Sequence, residues 1–278
     1  TQTAAQDYAV VTYRRFGGIV GAGHDLGIST QAFFGYRLER IDATLPIAAS
    51  HRRGLDVEPI DFQIHDGSSV LSTVRAKISN DTRNEPFLPS RGRHLQLLGD
   101  LSLTPLGSDY RYAKLVASAS QWFPLSWGHV FRVEAYAGSV FGEEPMFEKF
   151  YVGDFSDLLP DRVLDLNFDR RAAPAFFGTA IKEIRYGQHA AKINGEYRVP
   201  LYRGHRSIYG VDVFGSVGLY GVADDRDFTQ HARGYTGLAT VPFDLTFNLG
   251  LKVDTSAGGL TLGLSNLLGF IPLRGGAQ

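Results

Sequence analysis

The stretch Phe243-Asp-Leu-Thr-Phe-Asn-Leu-Gly-Leu-Lys-Val253 decides the fold class. Leu245, Phe247, Leu249, Leu251 and Val253 occupy one set of alternate positions. Asp244, Thr246, Asn248, Gly250, Lys252 and Asp254 occupy the other. Side chains of a β-strand point to opposite faces with a period of two, so this segment is a strand with one apolar and one polar face. The same alternation recurs along the chain. Long alternating segments separated by turn residues are the mark of a transmembrane β-barrel, whose lipid-facing and lumen-facing residues interleave.

Composition narrows the alternatives. The 278 residues are 44% hydrophobic and 12% aromatic, with a formal net charge of -1. A near-neutral chain without a basic run gives no footprint for nucleic acid. There are 0 cysteines, which removes disulfides and thiolate metal sites. No run of about 18 apolar residues is present, so a transmembrane helix is excluded. The mean hydropathy of -0.11 hides membrane character when half of each strand is polar. Thr1 to Gln6 is polar and carries no signal-peptide core, which fits a signal already removed or a part of a longer chain. The 32 glycines suit turns and barrel corners.

Strands are expected over Tyr8–Gly23, Ser29–Thr44, Ser68–Ser79, Arg93–Leu103, Tyr110–Phe123 and His129–Phe141, with a polar loop through His51, Arg52 and Arg53. A long irregular stretch, Gly142 to Tyr186, then interrupts the rhythm. It mixes acidic, proline and aromatic residues, and loops of that length are usually functional. Strands resume over Ala190–Leu201, Ser207–Val222, Pro242–Asp254 and Gly259–Leu268. The expectation is one all-β domain over residues 1–278: an antiparallel transmembrane barrel of ten to twelve strands, with residues 142–186 as a long inward loop.

The polar faces carry both signs of charge: Arg75, Lys77, Lys114, Arg132, Glu134, Lys192, Glu196, Arg198, Asp212 and Lys252. A charge facing lipid costs about 2–4 kcal/mol at the bilayer midplane, so outward placement of this set would cost tens of kcal/mol. These residues are therefore assigned to the lumen, where opposite signs pair. A soluble sandwich or lipocalin-type barrel also alternates, with its apolar face inside. The strand length and aromatic-rich strand ends favour the membrane.

The connection Asp81-Thr-Arg83-Asn-Glu-Pro86-Phe-Leu-Pro89-Ser-Arg-Gly92 reads as a turn fixed by two prolines and released by a glycine. It resembles the Asp-Thr-Arg … Pro-Ser-Arg-Gly turn of the BamA-like surface-antigen family of outer-membrane barrels. Phe147-Glu-Lys-Phe150-Tyr151-Val-Gly153 is similar to the segment opening that family's long loop. Gly187 to Leu201, with Glu196, Arg198 and Pro200, resembles the strand after it, and Leu251 to Leu262 resembles its penultimate hairpin. The resemblance covers most of the chain from about Tyr13 to Leu268. It implies a bacterial outer-membrane barrel, no cofactor, and as partners the lipid bilayer and other outer-membrane or periplasmic proteins. It also implies that Phe150, Tyr151, Gly153, Arg162, Glu196 and Arg198 shape the loop and lumen, and that Asp81, Arg83, Pro86, Pro89 and Gly92 shape the turn. The chain differs from the family in several places. Ser156 to Arg162 has no Arg-Gly-aromatic sequence, and the strand after Glu196 shows Gly215 where the family carries an acid. Glu196 is left to pair with Arg162 or with neighbours of Arg198. The family's POTRA domains and C-terminal aromatic are not seen, and the strand count falls below the family's sixteen.

Other constellations point to no metal or enzyme. The eight histidines lack metal spacing, and His94 and His129 are expected to be lumen hydrogen-bonders. A barrel lipase would need a serine and histidine on its lipid-facing rim, and no such pair is visible in the sequence. Asp224-Asp225-Arg226-Asp227 reads as a solvated turn rather than a calcium loop. Trp122, Phe123 and Trp127 read as interfacial anchors. Three functions follow: assembly or translocation of outer-membrane polypeptides within an envelope complex, a structural barrel that anchors partner proteins, or a passive small-solute pore.

Overall fold

The computed structural model describes residues 12–45, 50–53, 55–155, 177, 179, 181, 186–230 and 233–265. In chain order the strands are β1 (Thr12–Gly27), β2 (Thr30–Thr44), β3 (Ser50–Arg53), β4 (Asp56–Pro59), β5 (Gly67–Asp81), β6 (Gly92–Ser102), β7 (Arg111–Pro124), β8 (Val130–Glu143), β9 (Phe150–Tyr151), β10 (Tyr186–Gly187), β11 (His189–Arg203), β12 (Ile208–Ala223), β13 (Phe243–Thr255) and β14 (Gly258–Ser265). Ten of them form one sheet, in the order β1-β2-β5-β6-β7-β8-β11-β12-β13-β14. Each pairs antiparallel with its neighbour in that order. Among the described residues β1 and β14 are the two edges, so the wall is an unclosed barrel sheet.

The alternation sorts side chains as the sequence demands. On β13, Asp244, Thr246 and Asn248 are buried inside, whereas Leu249 and Leu251 are exposed outside. On β6, Leu95, Leu97 and Leu101 point outward and Asp100 and Ser102 are buried. Ile193, Val217, Leu260, Leu262 and Leu264 extend the outer apolar belt. A soluble protein would bury such a belt, whereas hydrocarbon covers it without cost.

Two groups of connections define two mouths. The long ones, from β2 to β5, β6 to β7, β8 to β11 and β12 to β13, start and finish at one end. Those at the other end span residues 28–29, 82–91, 125–129, 204–207 and 256–257. The polar loop around His51 is in fact the hairpin β3–β4, with Ser50 opposite Pro59. It reaches the 231–242 connection, where Asp56 accepts from the Arg233 backbone N–H and guanidinium, at 2.9 and 2.5 Å. Those bonds hold the Asp56 carboxyl below the usual carboxylate range.

Candidate functional site in the barrel lumen

The loop after β8 turns inward at once. Pro145 sets an extended backbone, Met146–Glu148 makes a single 3-10 turn, and Phe150–Tyr151 pairs with Tyr186–Gly187. Phe147, Phe150, Val152 and Phe155 are buried against Ile41, Leu71, Tyr112, Val140 and Tyr220 of the wall. Burying an aromatic side chain is worth about 1.5–3 kcal/mol, enough to hold a polar-flanked loop inside. Gly138 makes the notch for Phe150, since a β-carbon there would stand 2.5 Å from the ring. Tyr136 meets Phe155 edge-on at 5.7 Å, and Phe155 stacks on Tyr220 at 6.0 Å. Tyr151 is buried and donates to the Met146 carbonyl at 3.3 Å. Gly153 lies in the Val152–Phe155 turn. Arg162 lies outside the described residues.

One carboxylate anchors this plug. Glu148 Oε1 accepts from Arg37 Nη2 at 2.8 Å, and Lys114 Nζ lies 3.7 Å from Glu148 Oε2. Lys114 also donates to the Glu148 carbonyl at 2.7 Å, and Arg37 to the Tyr112 hydroxyl at 3.0 Å. The Arg37 and Glu148 side chains are 3% and 1% exposed. A buried ion pair offsets its desolvation only when such additional bonds satisfy it. At the rim, Lys149 reaches Asp224 at 3.1 Å and Glu144 at 3.6 Å, and Gln188 donates to Glu144 at 3.0 Å. Burial raises the Glu144 carboxyl above its ordinary value.

A separate ionic layer lies toward the other mouth. Glu196 accepts from Lys252 at 2.7 Å and lies 3.1 Å from Arg132 and 3.6 Å from Arg198. Arg132 and Lys192 share Glu134 at 3.1 and 3.3 Å. Asp212 meets Arg203 at 2.5 Å and Arg198 at 3.7 Å. Back at the level of the plug, Arg75 holds Asp100, which stands opposite Lys114, through two bonds of 2.7 Å. All these strand residues belong to the charged set read from the sequence, except Asp100 and Arg203. The structure does not bring Phe150 and Tyr151 together with Glu196 and Arg198: they occupy different layers.

The turn motif does more than reverse the chain. Arg83 clasps Asp81 with contacts of 2.6 to 3.1 Å and lies 5.7 Å above the Trp122 ring. Asn84 Oδ1 accepts from the Ser90 and Arg91 backbone N–H groups, both at 3.0 Å. Pro86 accepts from Arg83 Nη1 at 3.2 Å. Gly92, at φ +99°, takes a backbone conformation that side chains disfavour, and so lets the loop bend back. The loop then crosses the mouth, where the Pro89 carbonyl accepts a hydrogen bond from Arg198 Nη2, 109 residues away.

Four sequence readings change. Trp122 points inward and is buried, whereas Trp127 is 89% exposed at the hairpin tip and Phe123 faces out, so only these two remain exposed anchors. His129 bonds the Tyr197 hydroxyl at 2.6 Å on the outer rim, whereas His94 is inward beside Ser79 and Gln96. Gly215 pairs with Tyr197 and Leu249 on the outward face, so the lumen position in that stretch is Ser216, which accepts from Asn248 at 2.9 Å. Asp224 and Asp227 form a capping box on a short helix, α1 (Asp225–Thr229), instead of a solvated turn.

The sequence reading also missed a rim serine–histidine pair. Ser139 Oγ lies 3.0 Å from His189 Nδ1, and His189 Nε2 lies 2.8 Å from Asp225. Parity alone could have placed both on the outer face. Ser139 sits inside two strand ladders, opposite Leu115 and His189, and the Val140 N–H donates to the Gln188 carbonyl. With those amides engaged, no oxyanion donor flanks the serine among the described residues, and the trio reads as a cross-strand tie.

Comparison with known proteins agrees with this architecture. The Omp85 superfamily domain model matches residues 2–158. The outer membrane protein assembly factor BamA of Nitratidesulfovibrio vulgaris is 23% identical over 132 residues, which cover 45% of this chain and 15% of that protein. The crystal structure of BamA from Haemophilus ducreyi lacking POTRA domains 1-3 is similar with a TM-score of 0.64 at 14% identity, over 95% of this chain and 52% of that one. The chain thus spans about half the length of that structure and a small part of the curated relative. The likeness to the solved structure is one of fold. Because the family match covers more than half of its residues, this chain belongs to the Omp85 superfamily of bacterial outer-membrane β-barrels.

Proposed function

We propose that this barrel serves the assembly or translocation of other outer-membrane polypeptides, acting within an envelope complex. The supporting observation is the internal plug: the loop bearing Phe147, Phe150 and Phe155 is packed into the lumen and tied to β2 and β7 through Glu148. A barrel filled by its own side chains has little use as a solute channel. It offers instead a stiff wall beside which a client strand can satisfy its backbone hydrogen bonds, which hydrocarbon leaves unmet. Barrels of this class place short turns in the periplasm and long loops outside. On that rule the plug enters from the cell surface and the Asp81–Gly92 turn faces the periplasm. The loop and lumen roles of Phe150, Tyr151, Gly153, Arg162, Glu196 and Arg198 belong to this proposal.

The test is deletion of residues 147–162 from the full-length protein, with outer-membrane client levels as the readout. Assembly predicts that clients fall while the barrel itself is still inserted. Normal client levels with loss of associated envelope proteins would favour the anchoring role, and a large steady conductance in the intact protein would favour the pore.

A further inference from the structure

The Asp81–Gly92 connection has the construction of a movable part. Beyond Arg83, which is tied to the wall through Asp81 of β5 and the Trp122 ring of β7, its shape is held internally, by Asn84 to Ser90 and Arg91. It joins the wall at Thr82, whose N–H donates to Arg93, and at the positive-φ Gly92. Its far side touches the opposite wall through Pro89, Leu88 and Phe87. The Pro89 carbonyl takes the Arg198 bond. Leu88 lies against Gly210, where a β-carbon would stand 2.9 Å from its Cδ1, and Phe87 lies against Gly259 at 2.7 Å by the same measure.

The latch residue has a second arrangement available. Arg198 is 1% exposed and lies 3.6 Å from Glu196 and 3.7 Å from Asp212. Arg198 Nε and Glu196 Oε1, the atoms 3.6 Å apart, each lack a hydrogen-bond partner among the described residues. A small rotation that gives up Pro89 would close that pair. Release of the loop therefore leaves no buried charge stranded, which would otherwise oppose opening. Lifting Leu88 from its seat uncovers one buried aliphatic side chain, a cost on the scale of a populated conformational equilibrium.

We infer that residues 84–91 form a gate over the short-turn mouth, latched by Arg198 and able to swing as a unit about Arg83 and Gly92. The open arm pairs Arg198 with Glu196 and Asp212. The gate governs access to the lumen from that mouth whichever polypeptide the barrel serves.

These 278 residues hold no cysteine, so within them spin labels attach only where placed, and any cysteine elsewhere in the full-length protein is first replaced by serine. In the full-length protein in liposomes, labels at Glu85→Cys and Arg206→Cys should give one narrow distance population. Arg198→Ala, and separately Leu88→Ser, should each add a longer population. Gln96→Cys, inward in the lumen, should react at least tenfold faster with a membrane-impermeant maleimide in either background. A single unchanged population in both variants, with equal labelling rates, would show a static brace. A broad population already present in the unsubstituted gate would show that Arg198 latches nothing. Leu88→Ser keeps the test open if Arg198→Ala does not insert.

Discussion

Glu148 and Arg37 meet at 2.8 Å across the lumen, although 111 residues separate them in sequence. The loop carries the carboxylate and the wall carries the cations, Arg37 on β2 and Lys114 on β7. The plug is thus fixed by a charge pair that does not need an arginine in the loop. Glu148→Ala leaves two cations buried without their anion. Breaking a buried pair in this way costs about 3–5 kcal/mol. The expected outcome is a lower urea midpoint and protease cutting within residues 147–155 of the folded barrel. Arg37→Lys should recover only part of the loss of Arg37→Ala, because the bonds to Glu148, Tyr112 and Thr73 all come from the distal Nη2, which the shorter lysine side chain falls short of.

Gly138 and Phe150 form a notch and its occupant. Phe150→Ala should cost about 3–5 kcal/mol, as emptied aromatic sites do. Gly138→Ala should cost about 1–3 kcal/mol, because the ring must move. The double variant Gly138→Ala with Phe150→Leu should be less damaging than the sum of its parts, since both changes act on one space. Strict additivity in unfolding free energy would place the ring elsewhere.

The two tryptophans report on opposite environments. Trp122 lies inside under Arg83, and Trp127 stands out at the hairpin tip. In Trp127→Phe the remaining emission should be blue-shifted and shielded from acrylamide. In Trp122→Phe it should be red-shifted and readily quenched. Equal quenching of the two would return Trp122 to the outer surface.

Burial raises the Glu144 carboxyl, and a raised folded-state value stabilises the barrel at low pH. That contribution is full below the unfolded carboxylate value and fades as pH rises through the folded one. Glu144→Gln, which keeps a partner for Gln188, should gain stability relative to the parent at pH 8 and lose that advantage near pH 4. A gain confined to acid pH would reverse the sign.

Much of the wall was legible because strand parity is strict. Asp244, Thr246 and Asn248 turned out buried, and Leu249 exposed, as alternation requires. Parity also contained corrections that residue type obscured. Counting from Lys114 places Trp122 inside, and counting from Asp212 places Gly215 outside, although aromatic and family patterns suggested otherwise. The strand ends were less legible: β1 runs to Gly27 and β11 to Arg203, because hydrogen-bond ladders continue where the apolar pattern fades. The plug and the gate could not be read locally. Glu148–Arg37 and Arg198–Pro89 depend on the sheet curling until residues more than a hundred positions apart face one another. Tertiary closure of that kind leaves no short-range signal. The β3–β4 hairpin escaped for the opposite reason, as four-residue strands are too short to alternate visibly.

The account stands on the outer leucines touching hydrocarbon while the polar face is enclosed. Neighbours Asn248 and Leu249 test it within one strand. Single spin labels at Asn248→Cys and Leu249→Cys, in the full-length protein in liposomes, should be measured for collisions with oxygen, which concentrates in lipid, and with a water-soluble nickel chelate. High oxygen collision at 249, with little collision of either kind at 248, is the predicted result. A label at 249 that is immobile and shielded from oxygen, beside one at 248 open to the nickel chelate, would contradict the account.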